Sequence, residues 1–307
     1  MKWQGRERSS NIEDRRSRGS TPGGGLGGGF GGGFPPIGGR RIPTGRAAGG
    51  GVGIVAVIVI FGVLWMLGVN PIDVLTNGGA GTSSPGTSQW APPASNASED
   101  QLAEFVGVVV KDTEDLWGEV FRQNNASYTP PKVVLFTGRT QSGCGVADAN
   151  SGPFYCPDDQ KVYIDLSFYE QLRRQFGAPG DFAQAYVIAH EIGHHVQNLT
   201  GVLPEFNRLR GSMSQAEQNA YSVRVELQAD CYAGVWANFA RQQNYLEQGD
   251  VEEAINAANA IGDDTLTRGQ VTERNFTHGS SEQRKRWLKR GMSTGDVGQC
   301  DTFAGAI

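Results

Sequence analysis

Three of the four histidines in this 307-residue chain lie close together, at positions 190, 194 and 195. His190, Glu191 and His194 form the pattern H-E-x-x-H. On a helix, residues four apart lie one turn apart on the same face, so the two imidazoles can share one metal ion. Glu191 would take a proton from a water on a Zn²⁺ ion and pass it to a leaving amine. The spacing therefore predicts a zinc site capable of peptide hydrolysis.

A catalytic zinc ion needs a third protein ligand, and the later stretch E-L-Q-A-D offers one. Glu226 and Asp230 are four apart and so face the same way on a predicted helix. We expect Glu226 to be the third ligand and Asp230 to accept the second ring N–H of a ligand histidine. Glu205, Glu217 and His278 are rival ligands, although none has a partner at the right spacing in an apolar context.

The sequence around the motif, AYVIAHEIGHHVQNL, is apolar. Buried His and Glu side chains without a shared partner would be unfavourable, which argues against a chance match on a solvated helix. His195 is rotated away from the ligand face, so we interpret it as a packing or hydrogen-bonding neighbour of the site. A further alternative is a passive cell-envelope protein that carries the pattern by chance. Detection of bound metal would exclude it.

Hydrophobic periodicity predicts a single α+β domain that holds these residues. Apolar positions recur at helical spacing through residues 99–123, and short β-branched or alternating runs at 132–137 and 161–166 indicate strands. Further helices are predicted at 168–176, 181–200, 214–243, 250–262 and 281–290. The last one carries a basic run from Arg284 to Arg290. We interpret this run as a solvated face, with contact to anionic headgroups as the alternative.

An uncharged apolar stretch, VGIVAVIVIFGVLWMLGV, occupies residues 52–69. A helix of this length extends about 27 Å, close to the hydrocarbon thickness of a bilayer. We therefore predict one transmembrane helix at 51–69, with a cleaved signal peptide and a buried core helix as the alternatives. Residues 1–50 hold nine Lys or Arg and three acidic residues. This charge predicts a bacterial inner-membrane protein with its N-terminus inside and its domain periplasmic or extracellular.

Composition divides the chain further. Residues 1–50 are Gly-rich and basic with few apolar side chains, so we predict a disordered cytoplasmic arm. Residues 70–98 are rich in Gly, Ser and Pro and are predicted to form a flexible linker to a catalytic domain at 99–307. The whole chain has a net charge of −5 although its first 50 residues are basic, so the domain is acidic. We therefore expect no nucleic-acid partner.

The cysteines also favour a location outside the cytoplasm. Cys144, Cys156, Cys231 and Cys300 form an even number, as disulfides in an oxidising compartment require. Cys144 and Cys156 bracket a short Gly-containing loop, so we favour this pair, which leaves Cys231 with Cys300. Four separate buried thiols are the alternative. The chain has no C-x2-C pair, which argues against a four-cysteine zinc site.

Four segments together resemble the bacterial neutral zinc metallopeptidase family over essentially the whole chain: HEIGHHVQNLTG, GPFYCPDDQKVYIDL, ELQADCYAGVWA and HGSSEQRKRW. The H-E-x-x-H motif with a separate E-x-x-x-D helix is also similar to the gluzincin peptidases, especially the CAAX-prenyl-processing and HtpX-like enzymes. The resemblance implies a zincin-like fold, one catalytic Zn²⁺ and cleavage of protein or peptide substrates.

The resemblance also implies roles for two further parts of the chain. In peptidases of this type a strand beside the active-site helix pairs with bound peptide, and residues 161–166 are the candidate. The stretch HGSSEQR, which begins at His278, resembles the H-P-S/T-x-x-x-R stretch of the CAAX-processing and HtpX-like enzymes. His278 would then hydrogen-bond the oxyanion of the tetrahedral intermediate. Gly279 replaces the Pro of that stretch, and a turn histidine before a capped helix is the alternative.

These expectations combine into a membrane-anchored zinc endopeptidase in which Glu191 activates the zinc-bound water. The alternative is an envelope assembly or binding protein with a zincin fold that retains zinc but does not turn over substrate. Glu191 favours the enzyme, because a purely structural zinc site needs no base and closes its fourth position.

Overall fold

The computed structural model of the chain describes residues 1–16, 97–148 and 151–307. The helices are α1 (Ala97–Gln123), α2 (Phe168–Arg174), α3 (Asp181–Leu199), α4 (Val202–Leu209), α5 (Gln215–Gln242), α6 (Asp250–Ala260), α7 (Asp263–Leu266) and α8 (Ser281–Thr294). The strands are β1 (Ile12–Asp14), β2 (Lys132–Phe136), β3 (Arg139–Ser142), β4 (Gly145–Asp148), β5 (Phe154–Cys156) and β6 (Lys161–Asp165). The predicted α+β class is confirmed.

Four strands form the main sheet, in the order β1-β2-β6-β5. β1, β2 and β6 run parallel, whereas β5 is antiparallel to β6 and forms one edge. Alternate side chains of β2 and β6 enter two different clusters: Val133 and Ile164 pack into the main core, and Val134 and Tyr163 into a smaller cluster. Both faces of these strands are therefore covered, which explains why they read as nearly continuous apolar runs.

Helix α3 lies in the middle of the helical layer, and nearly every residue from Phe182 to Gln197 is buried. It packs against α5, α6 and α1. A Cβ atom at Gly193 would lie 3.3 Å from the backbone of Ala229, so α3 and α5 approach almost to backbone contact. Helices α5 and α8 also cross closely, since a Cβ at Gly291 would overlap the carbonyl oxygen of Cys231. These crossings bring side chains from three helices to one place.

Residues 1–16 belong to the fold. Ile12 in β1 pairs with Val133 in β2, and the Ser9 N–H donates to the Gly107 carbonyl at 2.9 Å. The predicted disorder of residues 1–50 is therefore wrong for residues 1–16. A short strand and several charge pairs hold this segment on the domain, and an average over a Gly-rich region does not reveal them.

The predicted membrane span at 51–69 lies outside the described residues, as do residues 17–50 of the predicted arm and 70–96 of the predicted linker. Residues 97–98, the predicted end of that linker, already form the first turn of α1. Among the helices of the described ranges, none is both long and apolar enough to cross a membrane.

The predicted membrane orientation conflicts with contacts in the structure. A single crossing at 51–69 would place residues 1–16 and 97–307 on opposite sides of the bilayer. Instead, Arg16 pairs with Asp100 at 3.1 Å, and β1 adds to the same sheet as β2. An N-terminus inside the cell and a domain outside it are incompatible with this shared fold.

We expect cysteines introduced at Ser10 and Gln123 to react alike with a membrane-impermeant maleimide in intact bacterial cells that express the full chain. Both side chains are exposed, and one lies in each described part. The native cysteines are disulfide-bonded and should not compete for the reagent. Permeabilised cells provide the control for reactivity. Labelling of Gln123→Cys without labelling of Ser10→Cys would support a single crossing and contradict the shared fold.

Both favoured disulfides are present in the structure: Cys144 is bonded to Cys156, and Cys231 to Cys300. The first bond ties the β3–β4 hairpin to the edge strand β5. The second ties α5 to the turn that follows α8, so it closes the C-terminal end of the chain onto the helical layer.

Candidate active site

Helix α3 carries the H-E-x-x-H motif into the interior. His190, Glu191 and His194 are each between 5% and 8% exposed, so all three polar side chains are buried. The helix ends in front of Gly201, whose φ of +92° favours glycine. The one-turn spacing puts both histidine rings on the face that meets α5, and their centroids are 4.8 Å apart.

Helix α5 brings Glu226 to this face. Glu226 Oε2 lies 3.2 Å from His190 Nε2, and Glu226 Oε1 lies 3.5 Å from His194 Nε2. The close crossing of α3 and α5 at Gly193 makes these distances possible. The structure therefore brings together the three residues predicted to hold zinc, with the Nε2 atoms of both rings facing one carboxylate.

The other nitrogen of His190 is held by Asp230. Asp230 Oδ1 lies 2.9 Å from His190 Nδ1 and accepts a hydrogen bond from the Tyr186 hydroxyl at 2.5 Å. Arg284 donates to both oxygens of the same carboxylate, at 2.8 and 2.9 Å. A carboxylate paired in this way stays ionised, so it accepts the Nδ1 proton of His190 and leaves Nε2 for a metal.

The prediction of a solvated face is wrong for Arg284, which is only 2% exposed. It lies on the side of α8 that also buries Trp287 and Leu288. Arg286 and Lys289 of the same basic run are exposed, as the interpretation required. The guanidinium thus serves the site by fixing Asp230.

The second ligand candidate, His194, is held differently. Its Nδ1 lies 2.8 Å from the amide oxygen of Gln197. Burial lowers the pKa of His194 to about 4, so its ring stays neutral at physiological pH. An Nδ1–H that donates to Gln197 leaves a lone pair on Nε2, again on the side of Glu226.

These donors fit a zinc ion. Two ring nitrogens and a carboxylate with converging lone pairs repel one another unless a cation lies between them. Burial disfavours a charged ring at His190, yet the carboxylates of Asp230 and Glu226 outweigh burial and raise its pKa to about 10. The site therefore favours positive charge at this point. Two imidazoles and one carboxylate are a ligand set that Zn²⁺ takes in catalytic sites.

Glu191 lies next to the ligand candidates. Its carboxylate and the ring nitrogens of His190 and His194 offer atoms that all lie within 4.8 Å of one another. Burial raises the pKa of Glu191 to about 7. A carboxylate with such a pKa can both take and release a proton near neutral pH.

His278 lies near Glu226 and is oriented by Asp263. Asp263 Oδ1 is 3.0 Å from His278 Nδ1, while Oδ2 accepts the backbone N–H groups of Thr277, His278 and Gly279. Burial opposes a charge on His278, but Asp263 and Glu226 together raise its pKa. Sequence reasoning missed Asp263, since it lies 15 positions from His278 with no helical relation to it.

Other predicted residues lie away from this cluster. His195 faces the sheet, with Nδ1 3.1 Å from the Tyr155 hydroxyl and Nε2 2.8 Å from the Thr129 carbonyl. The rival ligand Glu205 pairs with Arg208 on the surface. The rival Glu217 caps the first turn of α5.

Most of the strand predicted to pair with substrate is already paired on both sides. Residues 161–165 form β6, which pairs with β2 along its whole length and with β5 at residues 161–163. That prediction is therefore wrong for residues 161–163. Among the described strands, β5 is the last on this side of the sheet, and the backbone N–H of Tyr155 in β5 is directed at the Glu191 carboxylate.

The family described as "Putative neutral zinc metallopeptidase" matches residues 1–303. "Uncharacterized protein YpfJ" of Escherichia coli (strain K12) is 46% identical over 310 residues, which cover 100% of both chains. "Uncharacterized protein Rv2575" of Mycobacterium tuberculosis (strain ATCC 25618 / H37Rv) is 44% identical over 218 residues, which cover 66% of this chain and 72% of that protein. No solved structure matches the chain.

Proposed function

This chain belongs to the neutral zinc metallopeptidase family, and on that premise we propose that it is a zinc-dependent endopeptidase acting on protein or peptide substrates. We propose His190, His194 and Glu226 as the ligands of one zinc ion, in a gluzincin-type arrangement. The observation that carries the proposal is the convergence of two histidine lone pairs on one buried carboxylate, 3.2 and 3.5 Å away.

Bound zinc would supply a Lewis acid that acidifies water and polarises the scissile carbonyl. Glu191 takes the proton of the attacking water and passes it to the leaving amine nitrogen. Its pKa of about 7 suits both transfers. A residue that only supported a structural zinc ion would not need this property, and this supports an enzyme over a zinc-retaining binding protein.

His278 is proposed to donate from Nε2 to the oxyanion of the tetrahedral intermediate. Asp263 accepts at Nδ1, which leaves the Nε2 proton for the substrate and aligns the ring. A donor that is already oriented stabilises the developing charge without reorganising during the reaction.

The substrate is proposed to lie in extended form along β5. No described strand pairs with the outer side of β5, and an added strand would gain main-chain hydrogen bonds there. The Tyr155 N–H points toward Glu191, so peptide on this edge would pass the proposed base. The Cys144–Cys156 disulfide supports the end of the same strand.

We propose that both described parts of the chain lie outside the cytoplasm, where an oxidising compartment maintains the two disulfides. If residues 51–69 contact the membrane, they would do so from that side, without a single crossing between the two parts.

The proposal is tested by hydrolysis of unfolded casein by the purified full chain, with and without a chelator. We expect cleavage that the chelator stops and added zinc restores. A protein that holds zinc but leaves casein and a mixed peptide library intact would favour the binding or assembly protein. Cleavage that persists after complete metal removal would contradict the proposed chemistry.

A further inference from the structure

A relay of hydrogen bonds joins the ring of His194 to the C-terminal disulfide through two glutamines. His194 Nδ1 lies 2.8 Å from Gln197 Oε1. Gln197 Nε2 donates to Gln228 Oε1 at 3.0 Å, and Gln228 Nε2 donates to the Cys300 carbonyl at 3.1 Å. The relay therefore connects α3, α5 and the turn that contains Cys300.

Two backbone carbonyls fix the direction of this relay, because a carbonyl oxygen only accepts. Gln228 must present its amide nitrogen to the Cys300 carbonyl. Gln197 must present its nitrogen to the Val225 carbonyl, 2.7 Å away. Each amide then turns its oxygen the other way, Gln228 toward Gln197 and Gln197 toward His194. The ring must carry its proton on Nδ1, which leaves the Nε2 lone pair for a metal.

The relay is buried throughout. Gln197 and Cys300 are 0% exposed, and Gln228 is 6% exposed. A buried amide that loses its partner is unfavourable, so the two glutamines hold each other in one orientation. The ring of His190 is oriented by the carboxylate of Asp230, whereas the ring of His194 is oriented by neutral amides.

The far end of the relay is fixed covalently. Cys300 is bonded to Cys231, which lies 69 positions earlier on α5. Gln228 and Glu226 stand on the same helix, within two turns of Cys231. The disulfide thus holds the last acceptor of the relay against the helix that carries the carboxylate of the site.

We infer that Gln197 and Gln228 are positioning residues for the zinc ligand His194, and that the Cys231–Cys300 disulfide strengthens zinc binding by fixing the carbonyl that ends their relay. This inference rests on the proposed zinc site. The relay would raise the affinity for zinc because it fixes the tautomer and the orientation of the His194 ring.

Zinc affinity of the purified full chain, measured by competition with a chromophoric chelator, tests the glutamines. Changes of a partner hydrogen-bonded to a ligand commonly weaken metal binding by about 10–100-fold, and we expect this loss in Gln197→Met and Gln228→Met. The double variant should lose little more than either single variant, because both break one relay. Gln243→Met, at an exposed site just past the end of α5, is the control.

A second variant at Gln197 distinguishes loss of the hydrogen bond to His194 from a change in side-chain packing. In Gln197→Glu a carboxyl oxygen still accepts from His194 Nδ1, and the hydroxyl of a neutral acid replaces one of the two hydrogen bonds that Gln197 Nε2 donates, to Val225 or to Gln228. We expect this variant to recover most of the zinc affinity. In metal-free protein, ¹⁵N NMR should show the Nδ1–H form of His194 in the parent and in Gln197→Glu, but not in Gln197→Met.

The contribution of the Cys231–Cys300 disulfide is tested by removing each of the two disulfides in turn. The Cys231→Ser/Cys300→Ser variant should bind zinc more weakly than the parent, and adding Gln228→Met should change little further. The Cys144→Ser/Cys156→Ser variant should keep the parent affinity. Parent affinity in Gln197→Met and Gln228→Met would overturn the inference while leaving the proposed function intact. A parent chain that binds no zinc would overturn both.

Discussion

Replacing Glu191 by Gln is expected to lower peptide hydrolysis by at least about 10²–10⁴-fold while zinc stays bound. The amide is nearly isosteric with the carboxylate but cannot accept a proton at neutral pH. Glu191 is buried beside the ligand candidates and its pKa is raised to about 7, as a base working near neutrality requires. The measurement is the rate of casein cleavage, with zinc content determined by elemental analysis on the same preparation.

The control for this experiment is Glu252→Gln, which changes an exposed glutamate on α6 and should leave the rate unaltered. Undiminished cleavage by zinc-loaded Glu191→Gln would refute the role of Glu191 as base. A variant that also lost its zinc would instead indicate that Glu191 ligates the ion.

Replacing Glu226 by Ala is expected to strip zinc from the protein. The carboxylate faces the Nε2 atoms of His190 and His194, at 3.2 and 3.5 Å. The loss should exceed the roughly 10–100-fold weakening expected of Asp230→Asn, which alters only the partner of one ring. Zinc content after dialysis against a weak chelator is the readout.

Glu205→Ala is the matched control, since Glu205 was a rival ligand and pairs with Arg208 on the surface. It should retain the zinc content of the parent. Full zinc retention in Glu226→Ala would contradict the ligand assignment and point to the Glu191 carboxylate as the third ligand.

The site residues that lie one helical turn apart could be predicted from the sequence. His190 and His194 are one helical turn apart, and Glu226 and Asp230 repeat that spacing on a second helix. Such spacing fixes which side chains share a face, whatever the rest of the fold does. The small residue Gly193 also lies inside the motif, at the point where the two helices cross.

Residues that act across long sequence distances were harder to find. Arg284 donates to Asp230, which lies 54 positions earlier in the chain. Because Arg284 belongs to a basic run, the sequence predicted an exposed side chain there. One signal was present: Arg284 lies three and four residues before the apolar Trp287 and Leu288, hence on the buried face of α8. Asp263 lies in a short helix start with no periodicity that would pair it with His278.

The predictions for the N-terminal segment and for the substrate-binding strand were wrong for a related reason. Ile12–Asp14 is a strand of three residues next to a long Gly-rich region, too short for a periodic signal. The run at 161–166 was recognised as a strand, but a sequence does not state which strand ends a sheet. Position in the sheet depends on pairing with β2 and β5, which are distant in the chain or very short.

Titration of the metal-free full chain with zinc tests the central claim most directly. Casein cleavage should rise from zero in proportion to added zinc and level off at about one equivalent, because one set of His190, His194 and Glu226 holds one ion. Cleavage by the metal-free chain at the rate of the loaded chain, or no cleavage at any zinc concentration despite binding of one ion, would contradict a zinc-dependent peptidase.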